Sequence, residues 1–146
     1  MTALAGVWGL DGAAAAEPCR LINIAQALYG PDGEGFWDGG DVALGLRRFD
    51  CLDEDRFDAP PLTSACGRYH LVADVRLDDR AGLSDCLGLD QAEVASYSDT
   101  RLLLAAWERW QTELFAHVYG DYAFAVWDAR DRRMTLARDA LGAKPL

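Results

Sequence analysis

Histidine, methionine and proline are scarce in this chain: two, two and five in 146 residues. Its four cysteines, Cys19, Cys51, Cys66 and Cys86, form no C-x-x-C pair, and neither His70 nor His117 lies at a metal-ligand spacing from one of them. That excludes the usual structural zinc patterns, so no metal site is expected. The thiols read as reduced, some of them buried. Cys66, ahead of Gly67 and close to a strand, is a candidate reactive thiol. Positive charge is also in the minority: 14 Lys and Arg against 24 Asp and Glu leave a net charge of −10. An acidic surface disfavours nucleic acid and anionic membrane as partners. No apolar run approaches the roughly 20 residues of a membrane span, and no basic region followed by an apolar stretch opens the chain. The expectation is a cytoplasmic protein with no nucleic-acid or membrane partner.

What the chain does hold is apolar surface. It is 51% hydrophobic, with five tryptophans, enough for a sizeable core in one domain over 1–146. Residues 3–10 read as a buried strand. Residues 18–29 read as a helix, with Pro18 in the first turn, Leu21, Ile24, Ala25 and Leu28 as its apolar residues, and Gly30 as the stop. The stretch Gly30–Asp41 reads as a Gly-rich loop, without the lysine and Ser/Thr a phosphate cradle requires. Residues 42–49 read as a strand, 50–64 as an acidic loop and 67–77 as a strand. Asp78 and Asp79 then open a short helix that ends at Gly88. Ser98 is a good N-cap for a helix to Trp110, and a further short helix covers Thr112 to Tyr119. Residues 121–128 and 133–138 form a hairpin about the turn at 129–132. Strands and helices come in blocks, which predicts an α+β arrangement of antiparallel sheets with segregated helices.

The last third carries the most specific signal. It reads SDTRLLLAAWERW from Ser98 to Trp110, then GDYAFAVWDARDRRMTLARDALGAKPL from Gly120 to Leu146. This resembles the amidotransferase half of the asparagine synthetase family, whose pattern runs S-D-T-E, a Leu/Ala-rich helix, G-x-F-A-F-A-x-W-D and A-R-D-x-x-G-x-K-P-L. Gly30-Pro31-Asp32 and Gly35 match the family's R-G-P-D-x-x-G. The resemblance implies a class II glutamine amidotransferase domain with an N-terminal-nucleophile hydrolase fold. That fold is a four-layer αββα sandwich of antiparallel sheets.

In such enzymes the first side chain after methionine removal attacks the glutamine amide. The α-amine, with an ordinary pKa near 8, acts as base. Here Thr2 stands where the family has cysteine, and a hydroxyl is far less acidic than a thiol. Arg48 falls on the family's arginine clamp for the substrate carboxylate, a role suited to its two-pronged donor geometry, and it is equally a candidate structural ion-pair partner. Asp99 matches the contact to the substrate α-amine, although an aspartate in a first helical turn is stabilised by the helix dipole without any ligand. The family's N-G-E at the oxyanion hole becomes Asp74-Val75-Arg76. A carboxylate can only accept hydrogen bonds, and losing one oxyanion donor costs roughly 10²–10³ in rate. Val75 lacks glycine's backbone range. Pairing of Asp74 with Arg76 is one fate open to the two altered charges.

These departures imply a glutaminase-inactive domain of an ATP-dependent amide-forming ligase, similar to the branch that includes lasso-peptide cyclases and β-lactam synthetases. The segment ADVRLDDRAGL resembles the lasso-cyclase type. Two alternatives stand beside it: an active amidotransferase supplying ammonia through Thr2, and a non-catalytic amino-acid-binding module. No cofactor is expected in this domain; ATP and Mg belong to a following synthetase domain, whose S-G-G-x-D-S loop this sequence does not contain. The family continues after K-P-L with further strands, so the domain is expected to be incomplete at the C-terminus. Expected partners are the C-terminal synthetase domain, on the same or a separate chain, a precursor peptide with its processing proteins, and a second copy by self-association.

Overall fold

The structure, a computed structural model, describes residues 1–51, 53–57 and 60–146, with the backbone alone at 54 and 56. Its strands are β1 (Ala3–Trp8), β2 (Gly33–Asp38), β3 (Val42–Arg48), β4 (Leu62–Thr63), β5 (Tyr69–Leu77), β6 (Gly120–Asp128) and β7 (Arg133–Arg138). Its α-helices are α1 (Ala16–Ala25), α2 (Arg80–Leu87), α3 (Gln91–Val94) and α4 (Asp99–Trp110). All described strand pairs are antiparallel. One sheet has the order β1-β3-β2 and the other β4-β5-β6-β7.

The period of two along a strand explains the layers. In β3, Val42, Leu44 and Leu46 face the second sheet, where Val72, Ala125 and Trp127 meet them. Ala43, one residue out of phase, joins Ala5, Ala15 and Cys19 beneath α1. In β5, Tyr69, Leu71, Ala73 and Leu77 point the other way, onto Leu102, Leu103 and Trp107 of α4. The order is therefore α1, three-stranded sheet, four-stranded sheet, α2–α4: the αββα sandwich.

Local chemistry accounts for several boundaries. The Ser98 hydroxyl accepts from the Arg101 N–H, and Asp79 caps α2 by accepting from Gly82. Gly88 ends α2 in the left-handed region at φ 71°, where glycine is free of the Cβ clash.

Four expectations need correction. The stretch 30–41 is not a loop, because β2 runs through it from Gly33 to Asp38. Its glycines serve close approach: a Cβ on Gly35 would lie 1.6 Å from the Pro60 carbonyl oxygen. The 18–29 helix is α1 from Ala16 to Ala25, followed by a 3-10 turn at Gln26–Leu28, which places Pro18 at its third residue. Its buried residues are Cys19 and Asn23, while Leu21, Ile24 and Leu28 are 60%, 61% and 87% exposed. A face of small sheet residues lets α1 come close, so small side chains form the contact and the larger apolar ones turn outward. The region 50–64 holds a 3-10 turn at Asp53–Phe57 and the short β4, and the expected helix after Trp110 is a 3-10 segment at Gln111–Ala116. Helix α3 went unread, being four residues long. No helix among the described residues is long and apolar enough to cross a membrane.

Candidate functional site

At one end of the sandwich the two sheets part, leaving a cavity of about 140 Å³. Thr2, Arg48, Asp74, Val75, Arg76 and Asp99 all line it. The strand ends of β1, β3 and β5 and the first turn of α4 deliver them there, from sequence positions up to 97 residues apart (99 − 2 = 97). Cys51, Asp55, Thr100 and Lys144 also line the cavity, none of them expected from the sequence as a site residue.

The polar candidate side chains are already engaged within the protein. The Thr2 hydroxyl accepts from the Phe49 N–H at 3.2 Å, and the α-ammonium of Met1 donates to the Tyr29 carbonyl at 3.3 Å. Arg48 Nε lies 2.6 Å from Asp50 Oδ1. Asp99 is buried; its Oδ2 accepts from the Leu77 N–H at 2.7 Å, and its Oδ1 pairs with Arg80 Nη1. Burial pushes the Asp99 carboxyl above its usual value, against the pull of Leu77 and Arg80.

Asp74 and Arg76 do not pair with each other. Lys144 Nζ donates to Asp74 Oδ1 at 3.0 Å, whereas Asp74 Oδ2 is buried with no hydrogen-bond partner. Arg76, half exposed, pairs with Asp78 at 3.1 Å and with Asp121, directly across the ladder, at 3.2 Å. The two side chains share a face of β5, but Arg76 sits at the wet strand end, where the cross-strand carboxylate is nearer at hand.

Lys144 reaches Asp74 because Asp139 organises the loop that carries it. Asp139 Oδ1 accepts from the N–H groups of Leu141 and Ala143, and Oδ2 from those of Tyr122 and Lys144. These backbone donors hold its carboxyl below the ordinary range. Gly142, at φ 65°, permits the turn. The A-R-D-x-x-G-x-K pattern is thus a loop that presents one ammonium to the pocket.

Among the described residues no cluster of three or more His, Cys, Asp or Glu is arranged to hold a metal ion. All four cysteines are free, with Cys19 buried. Cys66 is exposed, and the Ser64 hydroxyl, 3.4 Å from its sulfur, lowers its thiol from the usual value.

Comparison with known proteins agrees with this architecture. Residues 1–146 match the family model described as a glutamine amidotransferase domain. A provisionally named glutamine-hydrolysing asparagine synthetase of Mycobacterium bovis is 33% identical over 155 aligned positions, covering 100% of this chain and 24% of the relative. Glutamine-hydrolysing asparagine synthetase 1 of Bacillus subtilis is 28% identical, over 89% of this chain and 20% of the relative. The chain therefore spans a quarter or less of the length of these curated relatives. Among solved structures, the glutamine phosphoribosylpyrophosphate amidotransferase of B. subtilis, complexed with ADP and GMP, superposes with a TM-score of 0.72. Its identity is 18%, over 95% of this chain and 37% of that one. At that identity the likeness speaks for the fold alone.

Proposed function

We propose, for a chain that belongs to the asparagine synthetase family as its N-terminal class II glutamine amidotransferase domain, that it does not hydrolyse glutamine. It serves instead as the non-catalytic domain of an ATP-dependent amide-forming ligase of the lasso-cyclase type. The observation that carries this reading is Asp74. At the oxyanion position stands a buried acceptor, one oxygen engaged by Lys144 and the other without a partner. Charge developing on a tetrahedral intermediate there would meet a carboxylate instead of a donor, a repulsion in a site of low dielectric. The Lys144 ammonium offsets the charge of Asp74 but is already committed to it. Thr2 adds a weak nucleophile whose hydroxyl oxygen is occupied by the Phe49 N–H. In this reading Val75 and Arg76 complete a pocket that lacks its donors. ATP and Mg act in the synthetase portion, which this domain supports together with the peptide substrate. The test is ammonia release from glutamine by the purified chain after its N-terminal residue has been identified by mass. No release above buffer is expected; release that disappears in Thr2→Ala would establish the active alternative.

One observation favours a second reading, an amino-acid-binding module. Arg48 and Asp99 reach the same cavity, which has room for a small ligand. Binding would have to compete with Asp50 for Arg48 and with Arg80 for Asp99. Calorimetry with glutamine on the parent and on Arg48→Ala decides it: heat in the parent alone supports binding, and equal heats rule it out.

A further inference from the structure

Helix α1 lies over β1 and β3 and leaves the outer face of β2 partly open. Between α1 and β2 runs a cleft of about 310 Å³, lined by Arg20, Asn23, Ile24, Glu34, Gly35 and Phe36. Helical spacing puts Arg20, Asn23 and Ile24 on one face of α1, and the strand period puts Glu34 and Phe36 on one face of β2. Opposite Phe36 in the ladder stands Gly45. A Cβ there would come within 3.1 Å of the Asn23 side chain, so the glycine lets Asn23 settle onto the sheet. None of these residues lines the cavity that holds Thr2 and Arg48.

Three polar groups meet in the cleft with bonding capacity unused. Asn23 is only 4% exposed, and its Oδ1 has no hydrogen-bond partner. An amide oxygen withdrawn from water without a donor is destabilising, and an N–H supplied by a ligand would relieve it. Glu34 is fixed by Arg47, whose Nη2 meets its Oε2 at 2.8 Å while Nε donates to the Asn23 carbonyl at 2.8 Å. One guanidinium thus ties strand to helix, and an ionised carboxylate held in this way can still accept a further donor. Arg20 is exposed, its guanidinium rests 3.9 Å from the centre of the Phe36 ring, and it makes no ion pair among the described residues. Stacking orients the guanidinium and leaves its edge N–H groups for an anion. Beside them Ile24, 61% exposed, and the Phe36 ring offer apolar contact.

We propose that this cleft binds a free α-amino acid with an apolar side chain. The ammonium donates to Asn23 Oδ1 and to Glu34, the carboxylate accepts from Arg20, and the side chain lies against Ile24 and Phe36. A few convergent polar groups set the orientation, and the apolar wall adds affinity. The mixed charge selects against simpler ligands: a bare anion would meet Glu34, and a bare amine would leave Arg20 unmatched. The inference goes beyond the reading of the Thr2 cavity and holds whether or not glutamine is bound or turned over there.

The probe is L-leucine, titrated into the isotopically labelled chain and followed by amide NMR. Saturable shifts are expected at the Asn23 side-chain amide and at the backbone amides of Gly35 and Phe36. The amides of Phe49 and Leu77, which bond to Thr2 and Asp99 in the other cavity, should stay put. N-acetyl-L-leucine, which lacks the ammonium, and L-leucine amide, which lacks the carboxylate, should each bind at least about tenfold more weakly. Arg20→Gln alters an exposed side chain, so the spectrum should remain that of a folded protein. In that variant L-leucine should bind at least about tenfold more weakly, while L-leucine amide binds as it does to the parent. No saturable shift, equal affinity for L-leucine and either analogue, or undiminished binding to Arg20→Gln would overturn the proposal. So would shifts confined to Phe49 and Leu77, because they would put the amino acid in the Thr2 cavity. Ammonia release plays no part in these readouts, so failure here and failure of the inert-domain reading are distinguishable.

Discussion

Among the described residues four aspartates are buried, two in turns and two in the pocket, and they fare differently. Asp139 gathers four backbone N–H groups. Asp128 takes a two-pronged contact from Arg68, at 3.0 and 2.7 Å, and also accepts from the N–H groups of Arg130 and Asp131. Both carboxyls are held below the ordinary range, Asp128 first by the Arg68 hydrogen bonds. In the pocket, Asp99 is pushed upward by burial, and Asp74 keeps one oxygen with no partner. The turn carboxylates have what an ionised group needs; the pocket carboxylates are only partly provided for. The motif residues around W-D and A-R-D are therefore explained by the scaffold they build, and their presence says nothing about turnover.

The largest effect should come from removing the better-satisfied carboxylate. Asp139→Ala deprives four backbone donors of their acceptor and releases the loop that carries Lys144. The melting temperature should fall by at least several degrees. An unchanged melting curve would mean the loop is held by other contacts. Next, Asp128→Asn keeps an acceptor for the turn but loses the charge facing Arg68, and about 1–2 kcal/mol in urea unfolding is expected. A third effect is read against pH. A carboxyl whose folded value is depressed contributes stability above its unfolded value, near 4, and loses that contribution as pH falls toward the folded one. Stability of the parent should thus decline from about pH 5 downward, and combining Asp128→Asn with Asp139→Asn should flatten that acid limb. The smallest effect belongs to the pocket: Asp74→Asn should change stability by no more than about 1 kcal/mol, because it exchanges a half-satisfied ion pair for an amide. A larger loss would place Asp74 among the scaffold carboxylates and erase the contrast.

The sequence was most legible where structure is locally determined. Ser98, Asp79 and Gly88 mark helix ends through contacts within a few residues, and all three boundaries lie where expected. The β6–β7 hairpin and the antiparallel sheets were likewise readable from alternation and turn chemistry. Distant partners were not. Gly33 and Gly35 resemble turn glycines until Pro60, 25 residues beyond Gly35, is seen against the strand (60 − 35 = 25). Leu21, Ile24 and Leu28 look like a core face until the sheet beneath α1 proves to offer Ala5, Ala43 and Gly45 to Cys19 and Asn23. In the pocket, periodicity could not join Thr2 to Asp99; only resemblance to a family did. Lys144 belongs to a legible motif, but its partner was not legible, because Asp74 lies 70 residues away.

The central claim is that a fold built for glutamine hydrolysis persists here around a pocket that no longer performs it. Ammonia release from glutamine, followed with the purified chain beside its Thr2→Ala variant, tests this most directly. The account predicts that both remain at the buffer rate at every enzyme concentration. Release proportional to the parent's concentration, and abolished in Thr2→Ala, would contradict it.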